Sequence, residues 1–285
     1  MAVSVSWIFS LARSGSSIVA YAAAAGFGCP VADEVLGPWD RTVEPYNYPP
    51  EQWQLVGAYV RANYVLDQHC ILLAQGLFEK MAASGDVAAN GPSAVSGGGE
   101  PRRLVSKYPH LIEPPDMFEK AFPTHGAAYM LRNPLHRLNS LYARSWFDAI
   151  SSNHDMDRYK AFARQWLVQP YGLLYDDMKR DPVTFFGRVY KAWRWPADEA
   201  NVARAVQYVQ STYHGNSGDM EQGGNPSAPR SEQRMLMPLE AVTTYLTDPF
   251  ILALMERVGW SVNVEDYLPR SGEPSDVNEL TVSSK

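Results

Sequence analysis

Apolar residues from Val3 to Leu11 form a short β-leaning run that stops at Arg13-Ser14-Gly15-Ser16, and small apolar residues then continue to about Ala25, where Gly26 and Gly28 interrupt them. This pattern predicts a buried strand, a tight turn and a helix, with Gly26 near the C-cap. Between Glu51 and Ala82, Trp53, Val56, Val60, Tyr64 and Ile71 recur at near-helical spacing, which predicts one long helix. Arg103–Val105, Ala127–Leu131 and Gly172–Tyr175 read as three more buried strands. The second of these runs into Arg132-Asn133-Pro134, where proline suits the first turn of a helix reaching about Ile150. Asp181-Pro182 repeats the signature and opens a helix to about Trp193, and Leu239–Val258 is helical throughout. Strands alternating with helices predict an α/β fold, a three-layer sandwich around a mainly parallel sheet.

Two stretches lack periodicity. Residues 84–102 are rich in Gly, Ala and Ser, and residues 214–234 are polar with Gly and Pro throughout, so both read as mobile surface loops. Residues 271–285 read as a polar tail behind a single domain spanning 1–270. The chain has 285 residues, of which 46% are hydrophobic and 20% charged, an ordinary globular composition. Lys plus Arg number 25 against 31 Asp plus Glu, a net charge of −6 that gives no general footprint for nucleic acid. An anionic ligand must therefore be held by a few placed groups.

Cys29 and Cys70 make no disulfide framework and lack metal-ligand spacing, so they read as reduced thiols. No metal-ligand cluster stands elsewhere. Trp7-Ile8-Phe9 precedes the first positive charge, Arg13, so a basic leader is missing. No stretch attains the roughly 20 apolar residues of a membrane span. The expectation is a cytoplasmic protein.

The first chemical signal is Leu11-Ala12-Arg13-Ser14-Gly15-Ser16-Ser17. A strand, a glycine-bearing turn and a helix start suit a phosphate group, because backbone N–H groups and the helix dipole both face the anion. The nucleoside-triphosphate loop GxxxxGK[ST] is absent. Here Gly15 permits close backbone approach, Ser14, Ser16 and Ser17 offer hydroxyl donors, and Arg13 supplies a forked cation. The second signal is Arg132-Asn133-Pro134 followed by Ser140, about two helical turns or roughly 11 Å further on. An arginine and a serine at a strand–helix junction form a second possible grip on phosphate.

Together the two segments resemble the cytosolic and Golgi sulfotransferases that use 3′-phosphoadenosine 5′-phosphosulfate (PAPS). The first is similar to that family's 5′-phosphosulfate loop, and the second to its 3′-phosphate motif, Arg-Asn-Pro with a serine eight residues after the arginine. Tyr175-Asp176-Asp177-Met178-Lys179, before Asp181-Pro182, resembles the family's Tyr-Glu-Asp-Leu/Met-Lys segment. The resemblance implies that Tyr175 contacts the adenine. Gln210-Ser211-Thr212-Tyr213 more loosely resembles the segment whose aromatic stacks on the same base. It also implies a P-loop-like fold and transfer of a sulfuryl group from PAPS, without metal, to a hydroxyl or amine of a small or carrier-bound acceptor, leaving 3′-phosphoadenosine 5′-phosphate (PAP).

The chain departs from the pattern in two places. Arg13 stands where cytosolic members carry lysine, and the C-terminal Arg-Lys-Gly-x-x-Gly element is missing, leaving Arg230 or Arg234 in that region. Two residues are candidates for the base. Glu34 lies twenty-one residues after Arg13, the spacing of the glutamate in tyrosylprotein sulfotransferases. His110, in Lys107-Tyr108-Pro109-His110, falls near the histidine of cytosolic members. Their plain alternatives are a solvated acid or N-cap for Glu34 and a surface histidine for His110. Two other functions stand beside sulfuryl transfer: a P-loop small-molecule kinase and a non-catalytic nucleotide-binding relative.

Overall fold

A computed structural model describes residues 3–33, 50–62, 67–84, 102–108, 126–142, 151–212, 235 and 237–268. Its strands are β1 (Val3–Phe9), β2 (Val31–Asp33), β3 (Arg102–Tyr108), β4 (Gly126–Leu131) and β5 (Leu173–Leu174). They pair in the order β2-β3-β1-β4-β5, and every pair is parallel. The chain thus adopts the expected α/β sandwich around a parallel sheet.

Side chains of β1 alternate between two helical layers. Ile8 joins a core made with Val19, Ala20 and Ala23 of α1 (Ser16–Phe27) and with Phe185, Val189 and Tyr190 of the helix Pro182–Ala192. On the other face Trp7 and Phe9 stack, Phe78 of α3 (Gln68–Ser84) meets the Trp7 edge, and Tyr129 bridges Phe9 and Phe162. All seven residues of β1 are buried, as the central strand of a sheet covered on both faces requires. From β1 the chain runs toward β2 and β3 on one side, and β4 and β5 lie on the other. The carboxyl ends of β1 and β4 therefore flank the topological switch point, where open α/β sheets take ligands.

Contacts divide the chain into two compact units: residues 1–132 with 161–227, and residues 133–160 with 228–285. The first holds the sheet. The described part of the second is helical, built from Pro134–Tyr142, the Ser151–Leu167 helix up to residue 160, Leu239–Thr247, Pro249–Val258 and the 3-10 turn Val264–Tyr267. Inside this unit the guanidinium of Arg137 donates through Nη1 and Nη2 to the two carboxylate oxygens of Asp155, each at 2.7 Å, and Tyr245 Oη donates to Asp155 at 2.9 Å. One buried acid thereby ties three helices.

Several expected boundaries move. The stretch Glu51–Ala82 is two helices, α2 (Pro50–Arg61) and α3, because Asp67 caps α3 by accepting from the Cys70 amide at 2.8 Å. Leu239–Val258 also divides: Asp248 Oδ1 accepts from the amides of Phe250 and Ile251, and Pro249 opens the second helix. The cap of α1 is Gly28, at φ 61°, not Gly26. Gly26 sits inside α1, where a Cβ would lie 2.0 Å from Tyr190 Oη and 2.7 Å from the Asn201 carbonyl, so it serves a helix crossing. The strand read over Gly172–Tyr175 is only Leu173–Leu174, and Tyr175 opens the helix Tyr175–Arg180. The helix from Pro134 runs to Tyr142, and residues 143–150 lie outside those described. Strand β2 and the helices Ser151–Leu167 and Glu199–Thr212 were not evident in the hydrophobic pattern.

Both expected loops fall largely outside the described residues, as does the tail 271–285. Both cysteines are free and buried. No helix among the described residues is long and apolar enough to cross a membrane.

Candidate functional site

After Phe9 the chain leaves β1 and turns before α1. Arg13 and Gly15 both take left-handed backbone conformations, φ 66° and 84°, and the Ser14 amide donates to the Leu11 carbonyl at 3.2 Å. Two such residues in one short loop fold it back on itself. Gly15 is the N-cap of α1 and provides no side-chain acceptor, and no acidic residue lies in the first turn. The opening N–H groups of a helix lack intrahelical partners and carry the positive end of its dipole. Here no carboxylate of the first turn competes for them. The hydroxyls of Ser14, Ser16 and Ser17 belong to the same turn, with Ser14 and Ser16 buried.

Two cations from other elements bond this segment, and a third stands over the ring packed against it. Lys107 of β3 is 4% exposed, and its Nζ donates to Ser17 Oγ at 2.6 Å. Arg132, directly after β4, donates from Nη1 to the Arg13 carbonyl at 2.7 Å, which fixes the loop against the sheet. The guanidinium of Arg132 also stands 4.9 Å from the centre of the Tyr175 ring, and Lys179 Nζ stands 5.2 Å from that centre. Both distances lie within cation–π range. The Tyr175 ring packs directly against Gly15, where a Cβ would come 2.1 Å from Cε2.

The first unit therefore brings together Arg13, Ser14, Gly15, Ser16, Ser17, Arg132 and Tyr175 from the residues singled out in the sequence. Ser140 belongs to the second unit, buried on the helix Pro134–Tyr142. At the start of that helix Asn133 Oδ1 accepts from the amides of Leu135 and His136, and Asn133 Nδ2 donates to Tyr267 Oη at 2.9 Å. Tyr267 Oη donates in turn to the Ser261 carbonyl. The asparagine of the Arg-Asn-Pro string thus caps the helix and is itself held. Glu34, His110, Tyr213, Arg230 and Arg234 lie outside the described residues.

Lys107 joins this loop although the sequence pattern marked it only as the start of Lys107-Tyr108-Pro109-His110. The available signal was its place near the end of a strand. In the sheet Lys107 pairs in register with Ile8 on one side and Asp33 on the other. That register delivers its ammonium to the loop that follows β1. Among the described residues no group of three or more His, Cys, Asp or Glu is placed to hold a metal ion.

No protein-family model matches the chain, and no curated protein does. Solved structures do. The sulfotransferase domain of the Synechococcus PCC 7002 olefin synthase is 15% identical, with 92% of this chain and 97% of that one aligned at a TM-score of 0.51. A sulfotransferase from Alicyclobacillus acidocaldarius is 12% identical over 92% and 98% of the two chains, TM-score 0.48. Retinol dehydratase in complex with androsterone and inactive cofactor PAP is 15% identical over 90% and 82%, TM-score 0.44. The fold is that of the sulfotransferases.

Proposed function

We propose that this chain, which has the sulfotransferase fold, is an enzyme that moves the sulfuryl group of PAPS to a hydroxyl or amine of a small or carrier-bound acceptor. The observation that carries this reading is the loop from Arg13 to Ser17, with an α1 start lacking a side-chain cap and Lys107 and Arg132 bonded to it. The residues present fit a nucleotide phosphosulfate. A Cβ at Gly15 would fill the cradle against Tyr175, and two cations, Lys107 and Arg132, bond this segment.

PAPS supplies an activated sulfuryl group on a phosphate leaving group. The loop amides of Ser14 to Ser17 and the Arg13 guanidinium hold the phosphosulfate end and stabilise negative charge on its oxygens. The Lys107 ammonium, bonded to Ser17 in the first turn of α1, adds a cationic donor there. Arg132 meets the 3′-phosphate, and Tyr175 and Tyr213 the adenine. Glu34 or His110 takes the acceptor proton.

PAP should raise Tm, since a ligand bound only to the folded chain adds about 2.7 kcal/mol at a hundred times its Kd. Arg132→Ala should remove most of that shift. A chain that PAP leaves unmoved while ATP stabilises it would overturn the reading in favour of a kinase. With radiolabelled sulfuryl donor, Lys107→Met should lower kcat by roughly 10²–10³, the usual cost of losing one donor to developing charge. Glu34→Gln should end transfer while the PAP shift persists. If His110→Ala does so instead, the histidine is the base; a wild-type chain that binds PAP but transfers nothing is a non-catalytic binder.

A further inference from the structure

A cavity of about 300 Å³ opens at the other end of β4, lined by Gly126, Gln169, Tyr171, Lys191, Ala192 and Arg194 among others. It is separate from the loop site. Gly126 begins β4 and Arg132 follows its last residue, so the strand holds the two about 17 Å or more apart. The volume sits at the lower end of small-ligand sites.

The lining chemistry is one-sided. Lys191 and Arg194 bring two positive charges, Gln169 and Tyr171 bring neutral donors, and among the described residues no carboxylate lines the cavity. Gly126 makes the wall close: a Cβ there would lie 2.2 Å from the Ala192 carbonyl. Basic residues at a helix end also complement its dipole, and that alone accounts for Lys191. It does not account for the backbone of Arg194. This residue ends the helix Pro182–Ala192 in a left-handed conformation, φ 59°, with the Trp195 amide donating to the Tyr190 carbonyl at 2.8 Å. Glycine fills that position most readily. A left-handed arginine stands at the rim of a cationic cavity, and backbone outliers of this kind cluster at ligand sites.

We infer that this cavity binds a small phosphate monoester, whose double negative charge meets Lys191 and Arg194 and whose organic part rests on Tyr171. The site is distinct from the nucleotide site and does not depend on it. The probe is radiolabelled glycerol 3-phosphate in equilibrium dialysis at fixed ionic strength, with PAP in excess. Wild type should bind one equivalent more than Lys191→Gln/Arg194→Gly, or bind it at least tenfold more tightly. Arg194→Gly alone should weaken binding while Tm holds or rises by about 2 °C, because glycine relieves the left-handed position; loss of binding is then not loss of fold. Both chains keep the phosphate loop, so the comparison reads the cavity whether or not PAP binds. Equal binding by wild type and the double variant, or none by either, overturns the inference.

Discussion

Gly15→Ala should both destabilise the chain and abolish its response to PAP. The residue holds φ 84°, where a side chain costs about 1–2 kcal/mol. Its new Cβ would also lie 2.1 Å from Cε2 and 2.5 Å from Cδ2 of Tyr175, whose ring is 3% exposed and has nowhere to retreat without moving the core. Overpacking of that kind costs a further ~1–3 kcal/mol. The sum is about 2–5 kcal/mol, measurable by urea denaturation. Displacing the Tyr175 ring disturbs the guanidinium of Arg132, which rests over it and bonds the Arg13 carbonyl. The phosphate loop and its second cation thus fail together. Tyr175→Ala/Gly15→Ala should lose less than the sum of the two single losses, since the clash is gone. Strictly additive losses would mean that strain at the glycine alone sets the cost.

Asp155→Asn should cost about 3–5 kcal/mol, the usual penalty for stranding one partner of a buried ion pair. Arg137 is buried beside Asp155, and Asn cannot return the bidentate acceptance that the carboxylate gives. Burial by itself would raise the Asp155 carboxyl. The charge and hydrogen bonds of Arg137, with the Tyr245 hydroxyl, outweigh it and hold the group below the ordinary carboxylate range. A group depressed in the folded state contributes stability fully present above its unfolded pKa and lost as pH falls through the folded value. Wild type should therefore lose this contribution only in acid, below about pH 4. Asp155→Asn should show a shallower decline there. Arg137→Met/Asp155→Leu should recover much of the loss, because an apolar pair strands no charge. Losses that simply add across the two positions would contradict a coupled pair.

Much of the loop from Arg13 to Ser17 was readable because its pattern is local. Arg13, Ser14, Gly15, Ser16 and Ser17 are consecutive, and a strand, a glycine turn and a helix start can be recognised within fifteen residues. Caps were equally local, and two went unread. Asp248-Pro249 carries the same signature as Asp181-Pro182, and both acids accept amide hydrogen bonds at helix starts. A continuous apolar stripe concealed the first of these, and Asp67 was concealed in the same way. Gly26 was misassigned for another reason. Its role is contact with Tyr190 and Asn201, residues more than 160 positions away, which no window on the sequence contains.

By itself the sequence determined the alternation of strands and helices, the glycine turn before α1 and the Arg-Asn-Pro string, because each is set by neighbours within a few residues. Only the tertiary structure decided that Lys107 reaches Ser17, that Arg132 holds the Arg13 carbonyl and that Tyr175 closes on Gly15. Those pairings come from strand order and register, which join segments 90 to 160 residues apart. Parallel neighbours are joined by long crossovers, so their alignment is fixed by packing across the sheet and not by any local pattern.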